Sequence, residues 1–236
     1  MSLLLELSNT VKSFAIGLWG DVPNGTVVPT VDDLSFSNSG KRVDATILYA
    51  DISGSTNMVD TFTDTFAAEL YKSFLHCSSK IIAKNNGAIQ AYDGDRVMAV
   101  FIGDYQADDA VSTSLEIHFA VQHIINHQFR SVYGDNVHPL RFTVGIDSGV
   151  CLVVKVGVRA VGELAWIGPA ANYAAKLNSF DGLDHDYPIR ITDYAFARLK
   201  KPSSLYASNT QGMWSDLFVN FPGRPHRRTS FFRNIL

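Results

Sequence analysis

Residues 43–50, VDATILYA, form a β-rich apolar run of the kind expected for a strand buried on both faces. The run ends on Asp51 and passes into Ile52-Ser53-Gly54-Ser55-Thr56. A strand so apolar must be covered by other layers. An aspartate at its mouth, followed by residues that open helices, sets a charged group beside free backbone N–H donors.

The elements after this strand follow a readable order. Residues 62–85 carry helical spacing at Phe62, Phe66, Leu70, Phe74, Leu75, Ile81 and Ile82, and Asn85-Asn86-Gly87 stops the helix. AIQAY (88–92) and RVMAVF (96–101) flank Asp93-Gly94-Asp95, and an Asp-Gly step between such runs predicts a hairpin. Residues 105–132 predict a long helix. LRFTVGID (140–147) and VCLVVKVG (150–157) predict two strands broken by Ser148-Gly149. ELAWIG (163–168) predicts a strand, AANYAAKLNSF (170–180) a helix, IRIT (189–192) a strand and DYAFARL (193–199) a short helix. Residues 203–236 mix aromatic, polar and Arg residues and suggest one or two edge strands. The βαββαβ order resembles the split βαβ arrangement. It predicts an α+β, ferredoxin-like domain with helices on one face of a mainly antiparallel sheet.

The chain has 236 residues, enough for one domain with a full core. Three parts are expected: an amphipathic helix over 1–19, a Gly/Pro/Ser-rich linker over 20–42, and the main domain over 43–236. The helix carries Leu3, Leu4, Leu7, Val11, Phe14, Ile16 and Leu18, and is expected to pack on the domain or on a second subunit. Glu6, Asn9 and Lys12 interrupt its apolar run, and no basic segment precedes it. It therefore reads as neither a signal peptide nor a membrane span. A cytoplasmic protein without stable membrane contact is expected. Net charge is −3 and no basic stripe stands out, which disfavours a nucleic-acid partner. Cys77 and Cys151 form no disulfide framework, as suits a reducing compartment.

Three constellations could carry chemistry. Asp51 with Ser53, Gly54, Ser55 and Thr56 could hold a cation and phosphates at a helix start, or could simply cap that helix. Asp93-Gly94-Asp95-Arg96 could be ordinary turn chemistry. In a split βαβ sheet, however, the hairpin neighbours the first strand and brings Asp95 close to Asp51. Two such carboxylates repel unless divalent cations join them, and a pair of metals roughly 3.5–4 Å apart is a common resolution. Asn172 and Lys176, at i and i+4, share one helix face and could meet one substrate or merely solvent.

Taken together, these blocks resemble the catalytic segments of class III adenylyl and guanylyl cyclases. LYADISGST resembles their first metal segment and GAIQAYDGDRVMAVF their second, with Asp95 at the metal position. RFTVGIDSGVCLVVKVG and ELAWIGPAANYAAKL resemble the third and fourth. The resemblance spans about residues 43–180. It implies a homodimer with shared sites. Asp51, Asp95 and Ile52 would hold two Mn²⁺ or Mg²⁺ ions, and Ile52, Gly54, Ser55 and Thr56 would meet the substrate. Asn172 of the other subunit would orient the ribose. Lys176 stands where the family usually has Arg, keeping the charge without the bidentate fork.

Purine-reading positions of that family fall on Ala91 and Pro169, which offer no side-chain hydrogen bond. Tyr49 lies two residues before Asp51 and so on the same side of the strand. Arg96 follows Asp95 directly. A bulky Tyr narrows the pocket, and an Arg donor suits the O4 carbonyl of uracil. The combination resembles the bacterial pyrimidine cyclases of Pycsar antiphage systems. It implies that UTP is converted to cyclic UMP, a second messenger read by a separate effector. Alternatives are CTP conversion to cyclic CMP, a purine cyclase with relocated base contacts, and an inactive nucleotide-binding dimerisation module. A diguanylate cyclase would need a Gly-Gly-Asp/Glu-Glu-Phe hairpin where Asp-Gly-Asp-Arg stands.

Overall fold

A computed structural model describes residues 2–179, 186–200, 212–219 and 223–235. The chain opens with α1 (Leu3–Ile16) and a two-residue β1 (Asn24–Gly25), then a 3₁₀ turn over Val31–Asp33. β2 (Lys41–Ile52), α2 (Ser55–Thr61) and α3 (Asp64–Lys84) follow, then the hairpin strands β3 (Ala88–Asp93) and β4 (Arg96–Phe101). α4 (Gln106–Phe119) runs through a π-helical stretch, Ala120–Ile125, into α5 (Asn126–Tyr133). Next come β5 (Phe142–Val158), β6 (Val161–Ile167), α6 (Pro169–Asn178), β7 (Ile189–Thr192), α7 (Asp193–Phe196) and β8 (His226–Thr229). The sheet order is β3-β4-β2-β5-β7-β8, with β1 beside β2 and β6 beside β5. Pairings are antiparallel except β1 with β2 and β5 with β7.

β2 is central, and its alternation sorts the core into two halves. Leu48, Ala50 and Ile52 face one side, where they join Phe74, Ile82, Leu115 and Phe142. Val43, Ala45 and Ile47 face the other, where they join Met98, Cys151, Val153 and Trp166. α3 and α4 cover the first face. α6 covers the second through Ala170, Ala171 and Ala174. Helices therefore lie on both faces, not on one as the element order suggested. The strand that reads as buried on both faces is so because α6 supplies the second layer. Gly145 makes that layer possible: a Cβ there would lie 2.2 Å from the Ala174 carbonyl oxygen and 2.5 Å from the Asn178 amide.

Ser148-Gly149 does not break a strand. β5 runs unbroken for 17 residues, and its ladder with β2 continues through Thr46↔Ser148 and Ala45↔Gly149. The Ser148 hydroxyl is satisfied inside the sheet by Thr46 Oγ1 at 2.7 Å, so a residue with turn chemistry is held in a strand. β2 starts at Lys41, two residues inside the stretch read as linker. α6 ends at Asn178, and Phe180 lies outside the described residues. The described part of residues 203–236 holds one edge strand, β8, against β7; residues 203–211 lie outside the described residues.

Of the two placements expected for the first helix, on the domain or on a second subunit, the structure does not show the first. α1 buries none of its residues, and Leu3, Leu4, Leu7, Val11, Phe14 and Ile16 are all exposed. The Asn38 amide ties down its end, donating to Phe14 O at 2.9 Å and Gly17 O at 2.8 Å. Among the described residues, no helix is long and apolar enough to cross a membrane.

Candidate active site

The site grows from the polar end of β2. The antiparallel register Ala50↔Val97 sets the β3–β4 hairpin tip beside Asp51. Gly94, at φ +61°, makes the tip. Asp51 and Asp95 are close enough to share a hydrogen bond. Burial, and then the Asp95 charge, push the Asp51 carboxyl up to about 6, against the opposing pull of Arg96. Asp95 Oδ2 is buried without a hydrogen-bond partner, as is Ser53 Oγ. Two crowded carboxylates with an unsatisfied buried oxygen fit a divalent cation, which would replace repulsion by attraction. The Ile52 side chain is buried in the core, so Ile52 can offer a cation only backbone oxygen. No group of three or more His, Cys, Asp or Glu side chains gathers among the described residues. A cation here would therefore need oxygens from backbone, water or substrate besides the two carboxylates.

Gly54 turns the chain into α2 at φ +73°, a conformation that suits glycine. The Ser53 amide donates to Arg141 O at 2.9 Å, which anchors this turn to the start of β5. Beside it lies a cavity of about 340 Å³ lined by Ile52, Ser53, Gly54, Met58, Leu70 and Arg141, among others. Ser55 and Thr56 open α2, with Ser55 half-buried and Thr56 exposed. Tyr71 of α3 reaches this region too. Its phenol is hydrogen-bonded with Ser55, and it is held above its usual pKa by burial first and then by the nearby Asp95. Sequence reasoning missed Tyr71, because an aromatic residue on an amphipathic helix reads as core.

Tyr49, Met98 and Ala91 form one row across β2, β4 and β3. The Tyr49 hydroxyl donates to Met98 Sδ at 3.2 Å. The Arg96 guanidinium lies 5.5 Å from the centre of the Tyr49 ring and pairs with Asp93 at 2.6 Å. Burial pushes the Tyr49 phenol up, so it stays protonated and able to donate. The structure thus brings Tyr49, Asp51, Asp95 and Arg96 together. Ala91 is exposed on β3, and Pro169 is the exposed first residue of α6.

Asn172 and Lys176 share the outward face of α6, and both are exposed. Lys176 Nζ lies 5.4 Å from the Tyr173 ring centre. Among the described residues, no hydrogen bond or ion pair joins either of them to Asp51 or Asp95. Arg224, which sequence reasoning also missed, packs beside the same helix. Its guanidinium sits 4.9 Å from the Tyr173 ring centre and 4.8 Å from that of Tyr194. It also pairs with Asp147, which is fully buried. No periodicity marks the segment around Arg224, so only the tertiary structure reveals this placement.

Comparison with known proteins identifies the family and the fold. The family described as adenylate and guanylate cyclase catalytic domain matches residues 38–215. A uridylate cyclase of Xanthomonas perforans is 39% identical over 221 residues, covering 93% of each chain. A uridylate cyclase of Burkholderia cepacia is 41% identical over 217 residues, covering 91% of each. Among solved structures, the adenylyl cyclase CyaB of P. aeruginosa superposes with a TM-score of 0.68 at 22% identity, covering 84% of this chain and 98% of that one. The guanylyl cyclase Cya2 gives a TM-score of 0.65 at 17% identity, covering 82% and 95%. At such identities the two structures establish a shared fold.

Proposed function

The chain belongs to the adenylate and guanylate cyclase catalytic-domain family, and from that premise we propose that it converts UTP to 3′,5′-cyclic UMP and pyrophosphate. One observation carries the choice of base: the Tyr49–Arg96 pair stacks directly beside the Asp51–Asp95 carboxylates. Tyr49 takes up width that a purine would need. Arg96, on the same ring, can donate to a uracil carbonyl. The uridylate cyclases at 39% and 41% identity support the same base.

Asp51 and Asp95, with backbone oxygen of Ile52, would hold two Mn²⁺ or Mg²⁺ ions. When bound, such ions polarise the attacking 3′-oxygen and neutralise the triphosphate. The rest falls to the protein. Backbone N–H groups of the turn at Gly54, Ser55 and Thr56 receive phosphate oxygens. Asn172 orients the ribose and Lys176 offsets charge on the triphosphate. Both residues are exposed on α6, and we read each site as combining both subunits of a homodimer. The exposed apolar face of α1 is a further surface for the second subunit. Pinning the nucleotide from both sides is the largest service such a site renders, since orientation and fixed charge dominate phosphoryl chemistry. The product would act as a second messenger of antiphage defence, sensed by a separate effector in the cytoplasm.

The test is direct. Purified protein with Mn²⁺ is incubated with UTP, CTP, ATP and GTP, and products are resolved by mass spectrometry. Cyclic UMP is expected to dominate, and Asp51→Ala to abolish it. Dominant cyclic AMP would overturn the base reading, and dominant cyclic CMP would move it to cytosine. No product from any of the four would favour a nucleotide-binding dimerisation module.

A further inference from the structure

Gln90 is the odd residue of β3. The ladder with β4 shifts register between Ile89 and Ala91, so Gln90 has no partner on the neighbouring strand. A bulge of this kind re-aims a side chain. Here the Gln90 amide folds back, Nε2 donating to Ile89 O at 3.1 Å and, more weakly, to Ala88 O at 3.5 Å. Its Oε1 accepts from Trp166 Nε1 at 3.1 Å. Trp166 belongs to β6, on the other side of β2 and β5, so this single bond spans the α6 face of the sheet. It ties the β5–β6 arm to the edge hairpin. Trp166 is 7% exposed and packs in the cluster of Met98, Val100 and the half-buried Tyr49. Ala91, Met98 and Tyr49, the row beside the bulge, lie on that same face.

We propose that the Trp166–Gln90 hydrogen bond sets the width of the base pocket and so its preference for pyrimidines. This rests on the uracil reading above. Tyr49 narrows the pocket only if its ring cannot retreat. Its hydroxyl leans on Met98 Sδ, and Met98 is a flexible side chain that yields unless backed. The indole of Trp166 is that backing, and the Gln90 carbonyl oxygen fixes where the indole stands. Neither residue needs to touch the nucleotide; both are positioning residues that act through Met98 and Tyr49. The bulge has a role in this scheme, because it leaves Gln90 without a ladder partner beside Ala91 and Met98.

The test uses the full-length protein with Mn²⁺ and equimolar UTP and ATP, reading the ratio of cyclic AMP to cyclic UMP. Trp166→Phe keeps most of the ring volume and removes the donor. Gln90→Leu removes the acceptor. Both are expected to raise the ratio by roughly fivefold, the scale of one neutral hydrogen bond. Gln90→Glu, which keeps an acceptor oxygen but loses the amide that donates to Ile89 O, is expected to fall between wild type and Gln90→Leu. A merely structural role would lower both products together and leave the ratio alone, and thermal melts of each variant separate that case. A wild-type preference for UTP that both variants keep within twofold overturns this inference and leaves the uracil reading standing. A wild-type enzyme that prefers ATP overturns both.

Discussion

The two faces of the sheet share one alternation along β2 and are covered in opposite ways. On the α3–α4 face, Leu48 and Ala50 meet Phe74, Ile82, Leu115 and Phe101, all with 2% exposure or less. On the α6 face, Val43, Ala45 and Ile47 meet three alanines of one ten-residue helix. The first face is filled by large side chains from long helices. The second is filled by close approach of backbone, and α6 ends near the Asp51 end of the sheet, where Asn178 Nδ2 donates to the carbonyl of Thr143, the residue opposite Asp51, at 2.9 Å. Tyr49 and Asp51 point to this second side, beside the hairpin tip. Stability is thus concentrated on one face and polar chemistry on the other. Burial of an unpaired charge costs folding energy, so the face that carries the carboxylates is the one that can spare the packing.

The largest effect is expected at Asp51. Asp51→Asn keeps the shape and removes the charge. Cyclase activity is expected to fall on the order of a thousandfold or more, in line with losing a preorganised charge at a phosphoryl centre. The melting temperature without metal is expected to stay level or rise, because a buried charge, and its repulsion with Asp95, are gone. A large loss of stability would show that Asp51 holds the fold. The mirror change is Phe74→Ala on the other face, where the side chain is fully buried. About 3–5 kcal/mol of stability should go, measured by urea unfolding, while the turnover of the folded fraction should hold.

How much of this was legible follows the same division. The α3–α4 face announces itself, since helical spacing over 62–85 and two alternating runs joined by Asp-Gly are local signals. Asp51 and Asp95 were legible because both sit at ends of such runs. Their meeting required the inferred strand order, which the register of β2 with β4 bears out. The α6 face was harder. Its alanines carry little hydrophobic signal, and the glycine that admits them, Gly145, looks ordinary inside β5. Ser148-Gly149 was misread because turn residues are scored by type, while the Thr46 hydroxyl that satisfies Ser148 is 102 positions away. Tyr71 and Arg224 were missed for a related reason: each matters through neighbours that no local pattern brings near.

Gly145→Ala tests whether close approach is what holds α6. The added methyl would meet backbone atoms at 2.2 and 2.5 Å, so α6 must shift. About 1–3 kcal/mol of destabilisation is expected from such overpacking. Since α6 also carries Asn172 and Lys176, activity should fall further than the unfolded fraction accounts for. An activity loss that merely tracks unfolding would mean that the placement of α6 does not matter to the site.

A last effect is expected in the pH dependence, and its sign is distinctive. Asp51 titrates near 3.8 when unfolded and at about 6 when folded without metal. Between those values the folded state holds more protons than the unfolded one, so this residue's contribution to stability is present at low pH and is lost as pH rises from about 4 to about 6. Ordinary salt-bridged carboxylates do the reverse. Urea unfolding in EDTA across this window should therefore show wild type losing ground to Asp51→Asn as pH rises, with a constant gap above about pH 6. Saturating Mn²⁺ should reverse the gap near neutrality, because a cation binds the deprotonated pair and competes with the proton. Parallel curves for the two proteins in EDTA would mean that Asp51 and Asp95 do not repel one another in the folded chain. The polar chemistry of the α6 face would then have no stability cost for the other face to offset.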